Sequence, residues 1–190
     1  MRLTQLKFFV CVMLALLLSG CFEETTAELP QPRELTREAV GHYCGMIVVD
    51  HPGPKAQIFV SGQDQPIWFS SVRDAFAFTK LPGEAKNIRA IYVNDMGKAK
   101  NWNAPVAGTW IDARQAHFVL DSDRKGGMGL KETVPFGSSA AATAFVAKHG
   151  GKTVDFSQVP ADYVLGDDNT QSGADGHQGH HGSMKRGGES

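Results

Sequence analysis

Apolar and polar positions alternate in two different periods along the middle of the chain, and together they predict a mixture of strands and helices. A helical period of apolar residues runs over Val72–Lys80 and again over 140–149, where Gly150-Gly151 ends the second helix. Short runs rich in β-branched and aromatic residues, bounded by turn residues, are typical of strands. The predicted strands cover residues 43–50, 56–61, 90–94, 109–112, 117–121 and 153–156.

The two predicted helices begin with similar sequences, which indicates an internal duplication. Each has a serine where an N-cap belongs and a later Phe on the face that a sheet would cover. The corresponding residues are Phe69, Ser71, Ala75, Ala77 and Phe78 in the first half and Phe136, Ser138, Ala142, Ala144 and Phe145 in the second. Chance similarity between two amphipathic helices is the alternative. We predict an α+β protein with antiparallel sheet, built from duplicated β-β-α-β units at about 34–98 and 105–166.

Residues 1–20 have the features of a secretory signal. Arg2 and Lys7 supply positive charge, and an apolar run over 8–18 leads to small residues before Cys21. The sequence Leu18-Ser19-Gly20-Cys21 resembles a bacterial lipobox, so we predict cleavage after residue 20 and acylation of Cys21. An uncleaved membrane anchor and an ordinary signal with a coincidental cysteine are the alternatives. The predicted location is the periplasm, with lipid attachment to a membrane.

Two polar segments flank the predicted domain at 34–166. Residues 21–33 contain Pro30 and Pro32 and are predicted to link the domain to the membrane. Residues 167–190 are mostly Gly, Asp, Gln, Ser and His without apolar periodicity, so we predict a disordered tail. By analogy with other lipoproteins, Phe22 instead of Asp after the acylated cysteine favours the outer membrane.

Composition and motifs exclude several classes of function. The net charge is -1 and 21% of the residues are charged, so no excess of charge favours a nucleic acid as partner. No nucleophile elbow, phosphate loop or zinc-protease pattern occurs, and Ser70-Ser71 and Ser138-Ser139 resemble helix caps. We therefore expect the protein not to be an enzyme.

Cys44 is the one thiol that remains after processing, because Cys11 leaves with the signal and Cys21 becomes a thioether. An unpaired thiol is unusual in an exported protein. If the strand predicted at 43–50 includes Cys44, then Cys44 and Met46 point to the same face, since side chains alternate along a strand. A thiolate and a thioether together favour a soft ion such as Cu(I). A buried, inert cysteine is the alternative.

A third ligand has to come from elsewhere in the chain. Met128 lies in a glycine-rich loop, Met96 follows a predicted strand, and His42 shares the strand parity of Cys44. Any one of the methionines, taken alone, is more often a core or surface residue than a ligand. The polar tail adds His177, His180, His181 and Met184, which bind copper loosely or only increase solubility.

Two further hypotheses use the same thiol differently. Cys44 and His42 would form a nucleophile and a base in a thiol-dependent enzyme, although no sequence feature marks an oxyanion hole or an orienting third group. In a purely structural lipoprotein, Cys44 would be buried and unreactive.

Several short motifs together resemble the NosL family of copper-binding lipoproteins, over nearly all of the predicted domain. They are Cys44-Gly45-Met46 after an aromatic residue, Phe69-Ser70-Ser71, Thr109-Trp110-Ile111-Asp112-Ala113, Gly127-Met128-Gly129, Val134-Pro135-Phe136, Phe145, and His149-Gly150-Gly151. The resemblance implies a fold similar to a domain of organomercurial lyase, which is built from β-β-α-β units.

The same resemblance implies a function and a ligand set. The function is that of a periplasmic Cu(I) chaperone that supplies copper for the copper-sulfide cluster of nitrous oxide reductase, in cooperation with a membrane ABC-type complex. The implied ligands are Cys44, Met46 and Met128. A thiol-dependent enzyme of organomercurial-lyase-like fold is the alternative that the resemblance leaves open.

Overall fold

Two antiparallel sheets and three helices make up the fold of the part of the chain that the computed structural model describes, residues 28–104 and 107–166. The elements are β1 (Ala56–Val60), β2 (Ile67–Phe69), α1 (Val72–Lys80), β3 (Ile88–Asn94), β4 (Trp110–Asp112), β5 (His117–Leu120), β6 (Val134–Phe136), α2 (Ser139–His149), β7 (Lys152–Asp155) and α3 (Ala161–Leu165). Short 3-10 turns lie at Val48–Asp50, Ala113–Gln115 and Phe156–Gln158. The predicted α+β class with antiparallel sheet is confirmed.

The two halves have the same topology and the same strand register. One sheet has the order β2-β1-β3-β4 and the other the order β6-β5-β7, with the first strand of each unit in the centre. Ala56 pairs with Phe69 and Val93, and His117 pairs with Phe136 and Asp155 in the same arrangement. Each unit therefore runs strand, strand, helix, strand, as the duplication predicts.

The strands that form these units differ from the predicted ones in two places. Residues 43–50, predicted as a strand, form a turn followed by the 3-10 turn Val48–Asp50. The sequence pattern places residues 109–112 in the second unit, but β4 pairs with β3 and so extends the first sheet. The second strand of each unit is instead β2 or β6, the short apolar segment directly before each helix.

Local geometry explains both differences. Gly45 has a φ of +65°, which an extended strand does not adopt, and this turns the chain despite the strand-forming residues that follow. After β4, Asp112 caps the 3-10 turn by accepting a hydrogen bond from the Arg114 backbone N at 2.8 Å. The chain therefore leaves the first sheet there and begins the second one at His117.

The main core lies between α1 and the first sheet, and it extends into the second unit. Val72, Phe76 and Phe78 on α1 are almost completely buried, and Phe76 packs edge-on against Phe118 of β5, with ring centroids 4.9 Å apart. Each fully buried side chain of this size contributes about 1.5–3 kcal/mol to stability. The two units therefore share one core.

The second helix packs less deeply than the first. Ala142 is buried, whereas Phe145 is only half-buried, in a small cluster with Val119, Val134 and Phe136. Ser138 caps the helix by accepting a hydrogen bond from the Ala141 backbone N at 3.3 Å, as predicted for an N-cap serine.

The chain before β1 lies against the first sheet. The Arg33 backbone N donates to Gln57 Oε1 and Gln57 Nε2 donates to the Arg33 carbonyl, both at 2.8 Å. Tyr92 OH donates to the Pro30 carbonyl at 2.7 Å. The end of the predicted linker 21–33 is thus held on the domain surface. The signal, Cys21 and the tail 167–190 lie outside the described residues. Within residues 28–104 and 107–166, no helix is long and apolar enough to cross a membrane.

Candidate metal site

Cys44 and Met46 lie on one tight turn that closes on itself. The Gly45 backbone N donates to the Gly41 carbonyl at 2.8 Å, and the Gly41 backbone N donates to the Met46 carbonyl at 2.9 Å. The His42 backbone N donates to the Trp68 carbonyl at 2.8 Å, which attaches the turn to β2. The predicted strand at Cys44 and Met46 is therefore wrong, because the chain forms a turn there, and strand alternation does not apply to the two sulfurs.

The thiol is partly accessible and has a hydroxyl beside it. Cys44 is half-buried, and its Sγ lies 3.5 Å from Ser70 Oγ. Ser70, between β2 and α1, is itself only 1% exposed. Met46 is 43% exposed. The alternative of an inert Cys44 requires a fully buried cysteine. Cys44 is only half-buried and Met46 is exposed, so the structure does not support that alternative.

Met128 lies on a second turn, contributed by the other unit. The Gly129 backbone N donates to the Gly126 carbonyl and the Gly126 backbone N donates to the Leu130 carbonyl, both at 2.9 Å. The Met128 side chain is 44% exposed. The turn thus holds its backbone firmly while it presents a thioether to solvent.

This second turn, residues 126–129, packs against the same serine as the thiol. A Cβ atom built on Gly127 would lie 2.8 Å from the Ser70 carbonyl and 2.8 Å from His51 Cβ, so only glycine allows this approach. His51 Nδ1 lies 3.1 Å from the Gly127 carbonyl. Ser70 is therefore a common neighbour of Cys44 and of the turn that carries Met128.

The other candidates for a third ligand, His42, Met96 and the residues of the tail, lie in different surroundings from Met128. The His42 ring packs against Phe69 and Phe78, with its Nε2 3.4 Å from Glu84 Oε1. Met96 packs in the small apolar cluster of the second unit. Met184 and the histidines of the tail lie outside the described residues. Within residues 28–104 and 107–166, no three His, Cys, Asp or Glu side chains gather as a metal site.

An aromatic and acidic group lies next to the thiol turn. Tyr43 OH donates to Glu84 Oε1 at 2.8 Å. Partial burial, together with the hydrogen bond and the negative charge of Glu84, raises the pKa of Tyr43 above its ordinary value. Tyr43 therefore stays neutral and serves to hold the turn.

Two buried charged residues near the site escaped the sequence analysis. Burial raises the pKa of Glu132 to about 7 and lowers the pKa of Lys55 to about 8. Lys55 Nζ donates to the carbonyls of Pro52 and Gly53, at 3.0 and 2.5 Å. A sequence signal for Glu132 existed, because it stands directly before the apolar strand Val134–Phe136, where a charge is expensive to bury.

Comparisons with known proteins agree with these features. The NosL family model matches residues 32–164. The copper-binding lipoprotein NosL of Achromobacter cycloclastes is 44% identical over 163 residues, which cover 85% of this chain and 84% of that protein. The protein of the same name from Stutzerimonas stutzeri is 31% identical over 151 residues, which cover 79% of this chain and 77% of the relative.

A solved structure matches as well. The crystal structure of the copper chaperone NosL from Shewanella denitrificans has 31% sequence identity and a TM-score of 0.64, and the match covers 68% of this chain and 95% of that one. Fold, sequence and family model thus give the same assignment, and the chain belongs to the NosL family.

Proposed function

We propose that this protein is a lipid-anchored periplasmic metallochaperone that binds Cu(I) and supplies it for the assembly of the copper-sulfide cluster of nitrous oxide reductase. The observation that carries the proposal is a single turn that bears a half-buried thiol, Cys44, and an exposed thioether, Met46. Sulfur ligands of this kind select Cu(I) over harder ions. Relatives named copper-binding lipoprotein, and a structure named copper chaperone, support the same metal.

The ligands that we propose are Cys44, Met46 and Met128. Both methionine side chains are more than two-fifths exposed on turns, where a large apolar side chain contributes little to the core. Ser70 is a neighbour of both turns, which supports Met128 as the third ligand. Met96 packs in an apolar cluster and His42 Nε2 lies 3.4 Å from Glu84 Oε1, so we leave both out of the ligand set.

The exposure of these ligands suits transfer of the ion. A partner's thiolate or thioether can approach the bound copper from solvent and replace the ligands one at a time. A closed cage of ligands, as in structural zinc sites, would oppose such exchange. We infer that the protein carries copper without turning over a substrate, because Cys44 Sγ lies beside Ser70 Oγ, whereas the ring of His42, the nearest candidate base in sequence, is directed to Glu84.

The decisive experiment is an anaerobic Cu(I) titration of the full-length chain in competition with a chromophoric Cu(I) chelator. We expect one Cu(I) per chain. Cys44→Ser should abolish tight binding, and Met46→Leu and Met128→Leu should each weaken it at least ten-fold. Met96→Leu is the matched control and should bind like the wild type. Wild-type affinity in Cys44→Ser would overturn the proposal.

The proposed destination of the copper can be tested in a denitrifying cell that lacks this chain. Complementation with the wild type should restore copper to nitrous oxide reductase, whereas complementation with Cys44→Ser should not. We expect the transfer to involve a membrane ABC-type complex, which should co-purify with the copper-loaded chain. A copper-replete reductase in cells carrying Cys44→Ser would exclude this destination.

The membrane anchor has its own test. Cys21→Ser should abolish incorporation of labelled palmitate into the chain. Density-gradient separation of the wild type should then find it with the outer membrane, as the residue after Cys21 suggests. Cu(I) affinity should be unchanged in this variant, because the anchor is separate from the site.

A further inference from the structure

A buried carboxylate connects the two turns of the candidate site. Glu132 stands just before β6 and is only 1% exposed. Its Oε1 accepts hydrogen bonds from Ser71 Oγ at 3.2 Å, from the Arg73 backbone N at 3.0 Å and from the Thr133 backbone N at 2.8 Å. Two of these donors belong to the N-terminus of α1, in the other unit of the fold.

Glu132 caps the N-terminus of α1 through a hydrogen bond from the Arg73 backbone N. Ser71 is the N-cap residue, but its side chain makes no capping hydrogen bond to the helix and donates to Glu132 instead. A negative charge at this position is also favourable for the helix dipole. Glu132 therefore fixes the segment Ser70-Ser71, and Cys44 Sγ lies 3.5 Å from Ser70 Oγ.

The other oxygen of the same carboxylate faces the Met128 turn. A Cβ atom built on Gly126 would lie 2.3 Å from Glu132 Oε2 and 3.4 Å from Ser71 Oγ. Among the described residues, Oε2 has no hydrogen-bond partner, although it is buried.

We propose that Glu132 is a positioning residue of the copper site, whose carboxylate holds the Met128 turn against the Ser70-Ser71 segment that borders Cys44. This inference rests on the proposed function. Three links connect the two turns. Glu132 Oε2 lies close to where a Cβ atom on Gly126 would stand, Ser71 donates a hydrogen bond to Glu132, and Ser70 Oγ lies beside Cys44 Sγ. Glu132 thus sets where the thioether of Met128 stands relative to the thiol. It supports the ligands without binding the ion, as residues around a metal site commonly do.

The test is a double-mutant cycle on Cu(I) affinity, measured on the full-length chain under anaerobic conditions. Glu132→Gln keeps the size of the side chain and the acceptor at Oε1 but places an amide group where Oε2 faces Gly126. We expect it to weaken Cu(I) binding about ten-fold. In the Met128→Leu background the same substitution should change the affinity less than two-fold, because the ligand that it positions is gone.

A second variant changes the packing between Gly126 and Glu132 at the glycine instead of the glutamate. Gly126→Ala places a methyl group against Oε2 and should displace the turn, again with about a ten-fold loss of affinity. This variant decides the question if Glu132→Gln does not fold.

Asp95→Asn is the matched control. Asp95 is another buried carboxylate, and it accepts a hydrogen bond from the Gly137 backbone N, near the start of the other helix, at 2.9 Å. Its substitution should change stability and leave Cu(I) affinity within two-fold of the wild type.

The possible results separate the inference from the proposed function. Wild-type affinity in both Glu132→Gln and Gly126→Ala, or losses that multiply with Met128→Leu, would overturn the role of Glu132. A Met128→Leu variant that binds like the wild type would overturn it too. The proposed function survives each of these results if Cys44→Ser still loses the ion, and it fails only if that variant does not.

Discussion

The sulfur of Cys44 occupies the space beside Gly41 that any larger residue would fill. A Cβ atom built on Gly41 would lie 2.5 Å from Cys44 Sγ, well inside van der Waals contact. The glycine is therefore part of the site, although it supplies no ligand.

Gly41→Ala should move the thiol and weaken Cu(I) binding at least ten-fold, because the methyl group and Sγ cannot both keep their places. Chelator competition measures the affinity, and reaction with a thiol reagent reports the change in accessibility. Gly83→Ala is the matched control, since no atom lies within 4 Å of its Cβ position. Equal affinities in the two variants would show that the thiol tolerates displacement.

The titration of Glu132 predicts a pH dependence of stability. The pKa of Glu132 is about 7 in the folded protein, compared with 4.5 for an ordinary glutamate, because burial disfavours its charged form. The folded state therefore binds more protons than the unfolded state between these values, so stability falls as the pH rises from about 4.5 to 7. Lys55, Arg73 and Asp74 are the charged residues that act on it or lie next to it.

Urea unfolding of the wild type and of Glu132→Gln at several pH values tests this dependence. The wild type should lose on the order of 3 kcal/mol more than the variant between pH 4.5 and 7.5. Above this range the lowered pKa of Lys55, about 8, acts in the opposite direction and makes stability rise with pH. Parallel curves for the two proteins below pH 7.5 would contradict the assignment.

Phe118 should be among the most sensitive positions of the core. It is completely buried and contacts Phe76 of the first unit and Phe156 of the second. Phe118→Ala should lower the free energy of unfolding by about 3–5 kcal/mol, since it removes the aromatic ring and leaves a cavity. Leu165→Ala, at a residue 45% exposed, should stay within about 0.5 kcal/mol of the wild type. A small effect at Phe118 would mean that the two units do not share a core.

The hydrogen bonds between Gln57 and Arg33 predict a proteolysis phenotype. Gln57→Ala removes two hydrogen bonds that hold the segment before β1, each contributing about 1 kcal/mol. Trypsin should then cleave after Arg33 about ten-fold faster, which mass spectrometry can follow. Gln63→Ala, at an exposed glutamine in the turn after β1, should be cleaved at the wild-type rate. Unchanged cleavage in Gln57→Ala would show that other contacts suffice.

Sequence patterns predict the parts of this fold that depend on local forces. The bounds of α1 agree with the prediction because a helical period of apolar residues begins directly after Ser71. The strand β2 has three residues, too few for an alternation to be recognised. Three β-forming residues after Cys44 predict a strand there, but Gly41 and Gly45 impose a turn.

The contacts that shape the candidate site join residues far apart in sequence. Ser71 and Glu132 are 61 positions apart, and His51 and Gly127 are 76 apart. Family motifs led to Cys44, Met46 and Met128 as ligands, which stays a prediction until metal binding is measured. The similarity to organomercurial lyase also stays a prediction. The second strand of each unit, β2 or β6, is identified by the fold alone. Phe69 and Phe136 pair at equivalent places in these two strands.

The chain is attached to the first sheet from residue 28 onward, since Arg89 Nη2 of β3 donates to the Glu28 carbonyl at 2.6 Å, ahead of the contacts at Pro30 and Arg33. This attachment limits how far the domain can travel from a lipid at Cys21. The chain from Cys21 to Glu28, even fully extended, reaches only about 25 Å at 3.3–3.6 Å per residue. A domain on so short a connection stays next to the bilayer and cannot follow an acceptor into the open periplasm. If Cys21 is acylated and the chain supplies copper to nitrous oxide reductase, both as proposed above, then the reductase has to meet the chain at the membrane surface.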